Sequence, residues 1–251
     1  ADLSDPEACA AAIAANRADA VINAAAWTDV DAAEGAEAAA TLVNARAPAA
    51  MARAAAQRGL PFLHLSTEHV FDGAGDLPFA PDDPTAPLNA YGRSKLAGEQ
   101  AIRAVGGRHL ILRTSWVFSG QPGNFVSTIQ RLGRQRDSLD VVCDQIGGPT
   151  PAMALAQALV TAATALCDGA PGGTHHFAGT PDISRADLAR QVIAGASLPC
   201  RVRDIPTLAY PTPARRPLNS RLDGGSFHAA FGIARPDWQA DLAALLKEHV
   251  T

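Results

Sequence analysis

Four short apolar runs, Ala20–Ala24, Pro61–Leu65, His109–Arg113 and Leu139–Val142, recur along the first 150 residues, each separated from the next by a longer helical pattern. Strands spaced this far apart do not close hairpins. They pair in parallel through helical crossovers, which predicts an α/β fold with a doubly wound parallel sheet. Ligands of such sheets sit at the carboxyl ends of the strands. The intervening helices run from a Ser4 or Asp5 cap with Pro6 at the first position to about Arg17, from about Asp31 to Arg58, from about Asn89 to Val105, and near Asn124 to Arg134. Gly59 closes the second, and a Gly, Asp and Pro-rich loop spans Asp72 to Pro87. After Pro149 the pattern loosens to a helix Pro151–Leu166, a strand Thr174–Ala178, a helix Ser184–Ile193, an aperiodic loop Pro206–Arg221 and a terminal helix Trp238–His249. The expected division is a cofactor-type unit over 1–150, followed by a smaller mixed lobe over 151–251 with some segments returning to the sheet.

At 251 residues and 47% hydrophobic, the chain can bury a real core without a metal or disulfide staple. A net charge of −4 argues against a nucleic-acid footprint. No apolar run reaches the ~18 residues of a membrane span, and no basic-then-apolar leader opens the sequence. Cys9, Cys143, Cys167 and Cys200 lack paired spacing, which suits reduced thiols, no metal site and a cytoplasmic setting.

Lysine occurs only at 95 and 247 and tyrosine only at 91 and 210, so Tyr91-Gly-Arg-Ser-Lys95 stands out. Residues four apart on a helix share a face, placing phenol and ammonium toward one cleft. A nearby cation is expected to lower the phenol pKa and make proton exchange with a carbonyl accessible. The plainer reading is a surface pair that happens to be adjacent. Leu65-Ser66-Thr67-Glu68 falls where the second strand ends, so a hydroxyl there can bond the same carbonyl oxygen, although ordinary turn bonding also explains it. Asn23-Ala-Ala-Ala26-Trp27-Thr28 ends the first strand with small residues that admit a flat ligand or merely pack a helix. Ala214-Arg215-Arg216-Pro217 offers two guanidiniums for a phosphate, or a solvated charge pair. His175-His176 invites a metal reading, but neighbours on a strand face opposite ways, so these are taken as structural.

Read together, these segments resemble the extended short-chain dehydrogenase/reductase superfamily and, within it, the dTDP-4-dehydrorhamnose reductase family. The likeness runs through Asp2-Leu3-Ser-Asp-Pro6, Asn23 to Asp31 with Glu34, Ser66-Thr67 with Val70-Phe71, and Pro87-Leu-Asn-Ala-Tyr91 to Glu99. It continues through Arg113 to Val117, Asp144-Gln145 with Gly147 and Pro149-Thr150, and Tyr210 to Leu222. The resemblance implies a Rossmann-type sheet and reduction by NADPH, or NADH, of the C4 ketone of a 6-deoxyhexose on a dTDP carrier. It implies a dTDP-sugar as partner, no nucleic acid or membrane, and allows a homodimer. Tyr91 would donate the proton, Lys95 would tune Tyr91 and hold the nicotinamide ribose, and Thr67 would orient the ketone. Asp2, Leu3, Ala26, Trp27, Thr28 and Leu65, with Tyr91 and Lys95, match cofactor positions. Glu68 and Trp116 match sugar positions, and Arg215 or Arg216 would meet the pyrophosphate.

The sequence departs from that family at Glu68-His69, where the usual pair is Asp-Tyr. The glycine-rich phosphate loop that normally precedes Asp-Leu is also not among these residues, and the chain opens at Ala1 without methionine. A βαβ unit takes about 30 residues or more, so a segment of that size is expected upstream, with this chain alone binding NADPH poorly and turning over little. Two other readings compete: another nucleotide-sugar epimerase or dehydratase of the superfamily, and a non-catalytic dinucleotide-binding regulatory subunit. The Arg-Arg-Pro loop tells against the first, and an intact Thr67, Tyr91 and Lys95 against the second.

Overall fold

The computed structural model describes residues 1–248. Helix α1 (Pro6–Ala15) starts at an Asp5 cap, whose carboxylate accepts from the Ala8 N–H at 3.0 Å. Strand β1 (Val21–Asn23) follows. The single helix expected over 31–58 is instead α2 (Val30–Gly35), α3 (Glu37–Thr41), a π-helical turn (Leu42–Arg46) and α4 (Ala47–Gln57). Ala36 leaves helical geometry between α2 and α3 (φ −141, ψ 36). Pro48 explains the π turn: it has no N–H for the carbonyl four residues back, that of Asn44, so the ladder widens there.

Strand β2 (Phe62–Thr67) runs into a 3-10 turn (Glu68–Val70), and α5 (Ala90–Val105) begins at an Asn89 cap and closes on left-handed Gly106. Then come β3 (His109–Thr114), β4 (Val117–Phe118), α6 (Phe125–Gly133), β5 (Ser138–Val142), β6 (Ile146–Gly147), β7 (Thr150–Pro151) and α7 (Ala152–Cys167). The remainder comprises β8 (Gly173–His176), β9 (Ile183–Ser184), α8 (Arg185–Gly195), β10 (Arg201–Ile205), β11 (Asn219–Ser220), α9 (Gly225–Phe231) and α10 (Trp238–Glu248). The expected end of the last helix, His249, lies outside the described residues. Neither β10 nor α9 was anticipated. Strand β10 pairs with β5 alone and carries three charged residues in five, two of them engaged at the surface as Arg203–Asp140 and Arg190–Asp204, so it lacks an apolar signature.

The main sheet is parallel throughout, in the order β1-β2-β3-β8. It is covered on both faces, which is why its central strands read as continuous apolar runs. Leu63, Leu110 and Leu112 face α7 through Leu155, Leu159 and Leu166, while Phe62 and Ile111 face Cys9, Met51, Ala55 and Ile102 from α1, α4 and α5. His64, two residues from Phe62, therefore lies on the α5 face. A second core joins α6, β5, α8 and α10 around fully buried Trp238. No helix among the described residues is long and apolar enough to cross a membrane.

Candidate active site

The carboxyl end of β2 and the first turns of α5 meet because their junction is unusually close. A side chain on Gly92 would lie 2.2 Å from the His69 carbonyl, so only glycine lets the helix start there. Asn89 fixes the approach three ways: it caps Gly92 N–H at 2.8 Å, bonds His69 Nδ1 at 2.9 Å, and donates to the Arg215 carbonyl at 2.8 Å. Tyr91 is consequently placed beside Thr67, while Lys95, one turn on, reaches β2 at His64 and Leu65. The Tyr91 side chain keeps part of its surface open, packs like Trp27 against the Ala33, Ala40 and Ala90 cluster, and meets the His69 ring in a T-shaped contact, 5.4 Å between centroids. The Lys95 side chain is buried, donating to the Leu65 carbonyl at 2.6 Å and lying 3.2 Å from His64 Nε2. The Thr67 hydroxyl donates to Glu68 Oε2 at 2.8 Å and accepts from the His69 N–H at 3.2 Å.

Burial sets the electrostatics. It pushes the Glu68 carboxyl up to about 7, against the pull of the Thr67 hydrogen bond and of Arg185. Burial, and then the field of Glu68, raise the Tyr91 phenol above its ordinary value, with Thr67 opposing. This reverses the expectation of a lowered phenol: Lys95 is turned toward His64 and Leu65, and desolvation outweighs it. Tyr91 is thereby kept in its acid form, as a proton donor requires. Burial brings Lys95 down to about 8, with Glu99 opposing. His69 falls to about 3, through burial and then the charges of Arg216 and Arg185.

The other residues marked in the sequence surround this centre unevenly. The Trp27 N–H donates to Asn44 Oδ1 at 2.8 Å, and Asn44 also reaches Ser94 at 2.9 Å, which ties the loop after β1 to α5. Ala26 is half-buried and Thr28 exposed on that loop. Asp2 and Leu3 precede α1, where the Asp2 carboxylate accepts from the Ser4 N–H at 2.9 Å and Leu3 packs beside Val21. Arg216 is paired with Asp31 at 2.8 Å, whereas Arg215 is exposed and contributes its carbonyl to Asn89. Both border a cleft of about 660 Å³ that Asp72, Leu88, Asp144 and Thr207 also line. His175 and His176 do face opposite ways, toward Ser226 and toward Arg113 with the Phe79 carbonyl.

Sequence reasoning missed Arg185. Its guanidinium stacks 3.7 Å over the Trp116 ring and 4.8 Å over Phe125, within the field of Glu68 and Arg216, and burial lowers it to about 10. Trp116 holds that position with a left-handed φ of 48° over Gly147, whose missing side chain leaves room for the ring. An arginine at the start of a short helix gives no sequence signal of this placement.

The whole chain, residues 1–251, matches the sequence family described as RmlD substrate binding domain. A dTDP-4-dehydrorhamnose reductase of Escherichia coli (strain K12) is 42% identical over 257 residues, covering 100% of this chain and 86% of that relative. The crystal structure of a dTDP-4-dehydrorhamnose reductase from Clostridium acetobutylicum superposes with a TM-score of 0.92 at 31% identity, covering 98% of this chain and 86% of that one. A counterpart from Bacillus anthracis, solved in complex with NADP, superposes with a TM-score of 0.90 at 29% identity, over 98% of this chain and 86% of that one.

Proposed function

The chain belongs to the RmlD substrate binding domain family, and from that premise we propose that it is an NADPH-dependent oxidoreductase reducing the C4 ketone of dTDP-4-dehydrorhamnose to dTDP-L-rhamnose. The observation that carries this reading is the convergence of Thr67, Tyr91 and Lys95 at the carboxyl end of β2, with the phenol held protonated. The residues fit a dinucleotide: exposed Ala24 and Ala25 leave space beyond β1, and Lys95 retains a donor once Leu65 has taken one. A reduced nicotinamide held there would supply hydride to the ketone carbon.

Tyr91 donates its phenolic proton to the ketone oxygen, completing the alcohol. Lys95 would hold the ribose of the bound cofactor and steady the phenolate left behind. Thr67 hydrogen-bonds the ketone once Glu68 is neutral, because an ionised Glu68 otherwise draws the only hydroxyl proton Thr67 has. Glu68 and Trp116 contact the sugar. Arg215, exposed beside the 660 Å³ cleft, meets the diphosphate, and Arg216 backs it from its pairing with Asp31. Three of the four strands of the main sheet lie within 1–150, which supports that span as the dinucleotide-binding unit with β8 returning to it from the second span, and Leu65, Ala26, Trp27, Thr28, Asp2 and Leu3 would lie along the cofactor. The cleft-lining segment after 206 supports 151–251 as mainly the substrate lobe. A nucleotide-sugar substrate and a dinucleotide cofactor support a cytoplasmic setting.

Incubating the protein with NADPH and enzymatically generated dTDP-4-dehydrorhamnose, and identifying the product by NMR, tests the reading. A manno-configured C4 alcohol supports it, and NADPH oxidation without that product points to another ketose.

A further inference from the structure

Asn23, His64 and Lys95 form a buried line across the α5 face of the sheet. Asn23 and His64 are register partners on β1 and β2, and Asn23 Nδ2 lies 3.0 Å from His64 Nδ1. Lys95 Nζ lies 3.2 Å from the other ring nitrogen, Nε2. All three side chains are at least 95% buried, so no bulk water adjusts the hydrogen bonds.

The orientation of Asn23 is decided by its own chain. The Ala25 N–H donates to Asn23 Oδ1 at 3.2 Å, so the amide group must turn its NH₂ toward His64. An NH₂ facing Nδ1 makes Nδ1 an acceptor, which leaves the ring proton of neutral His64 on Nε2. That proton faces Lys95. An ammonium there would set donor against donor, whereas a neutral amine has the lone pair to accept it, with one N–H still on the Leu65 carbonyl. We propose that Asn23 and His64 are a positioning pair for Lys95, admitting it to His64 only as the neutral amine and directing its ammonium form into the cleft beside Tyr91. When Lys95 gains a proton on its lone pair, the His64 N–H···N bond breaks and Nζ turns outward, keeping its bond to Leu65 within reach.

Surrounding charges agree with this. Burial holds the His64 ring well below its ordinary pKa, with any charge on Lys95 adding to the effect, so the imidazole stays neutral. Glu99, one turn along α5, is the charge acting on Lys95, but it is bound bidentately by Arg113 at 2.7 and 2.9 Å and touched by Arg103 and Ser66. Tyr91, one turn back, is neutral. The proposal rests on the reductase reading only for the use made of the ammonium; its structural content stands apart from activity.

The chain has two lysines and seven histidines, which makes direct observation practical. With ε-¹³C-lysine, Lys247→Arg assigns the exposed signal, and Lys95 is expected to titrate at or below about 8, far under an ordinary lysine near ~10.4. In ¹⁵N-histidine spectra, the signal lost in His64→Gln is expected to be the neutral Nε2–H tautomer. Asn23→Asp is isosteric, and its second carboxylate oxygen accepts where the amide donated. It is expected to move the ring proton to Nδ1 and raise the Lys95 midpoint by about two units, because Nε2 then accepts from the ammonium. An Nδ1–H tautomer or an imidazolium in the parent protein would overturn the proposal, as would a raised Lys95 midpoint in Asn23→Asp with the ring tautomer unchanged. The parent spectra decide the matter even if the variant fails to fold. In the enzyme assay, with the Glu68 titration removed by Glu68→Gln, the kcat pH profile follows the Lys95 midpoint while KM for the sugar nucleotide stays level with pH. Absence of turnover with the expected tautomer would count against the reductase reading alone.

Discussion

Glu68 stands where the resembling family carries an aspartate, and its extra methylene puts the carboxyl in a buried position beside Thr67, 4% exposed. Holding that carboxyl near 7 against an ordinary 4.5 means the folded chain keeps a proton the unfolded chain has lost. Its contribution to stability is therefore complete below pH 4.5 and lost as pH rises through 7, about 3 kcal/mol in all. Glu68→Gln should flatten this loss in urea titrations at pH 5 and pH 8, while an unchanged pH slope would place the proton elsewhere. The same variant should remove a decline in kcat centred near pH 7, because Thr67 no longer faces a carboxylate. Tyr91 and Lys95 were legible because one helical turn joins them in a chain nearly free of both residue types. The direction of the Tyr91 shift was not, since it depends on burial and on Glu68 rather than on the lysine that spacing made conspicuous. His64 and Arg185 were invisible for a related reason: each acquires its partners from strands or helices distant in the chain.

Helix α5 carries both Tyr91 and Lys95, and its seating depends on the broken helix it crosses. The Asn44 carbonyl, left without a Pro48 N–H, projects so that a side chain on Gly98 would come within 2.1 Å of it. Gly98→Ala must push backbone against backbone, so we expect destabilisation of about 1 to 3 kcal/mol by urea titration and a fall in kcat as Lys95 moves. Full stability in that variant would mean that the crossing yields to an added methyl group. Alanine richness correctly marked residues 31–58 as helical but hid the break at Ala36, and Pro48 was visible without showing that the ladder would widen over Leu42–Arg46 rather than end. The buried strands β2 and β3 were readable from their apolar runs. Strand β10 was not, because an exposed edge strand is stabilised by its ladder and by surface charge pairs, not by apolar alternation.

Across the molecule, two cores are stitched at the site by the aperiodic segment after Pro206. Asp31 at the start of α2 accepts from the Ala214 N–H at 3.0 Å and pairs with Arg216 at 2.8 Å, and Asn89 holds the Arg215 carbonyl. Asp31→Ala releases that segment without touching Tyr91, so KM for the sugar nucleotide should rise about tenfold, ~1.4 kcal/mol, with kcat nearly kept. An equal loss in kcat would assign Asp31 to the chemistry instead. The central claim is that Tyr91 supplies the proton in an NADPH-dependent ketone reduction, and steady-state NADPH oxidation with dTDP-4-dehydrorhamnose tests it most directly in the parent and Tyr91→Phe forms of the full-length protein. The account predicts turnover in the parent, a kcat lower by about 10² to 10⁴ in Tyr91→Phe, and unchanged NADPH binding. Equal rates in the two proteins, or no turnover in a folded parent that binds NADPH, would contradict it.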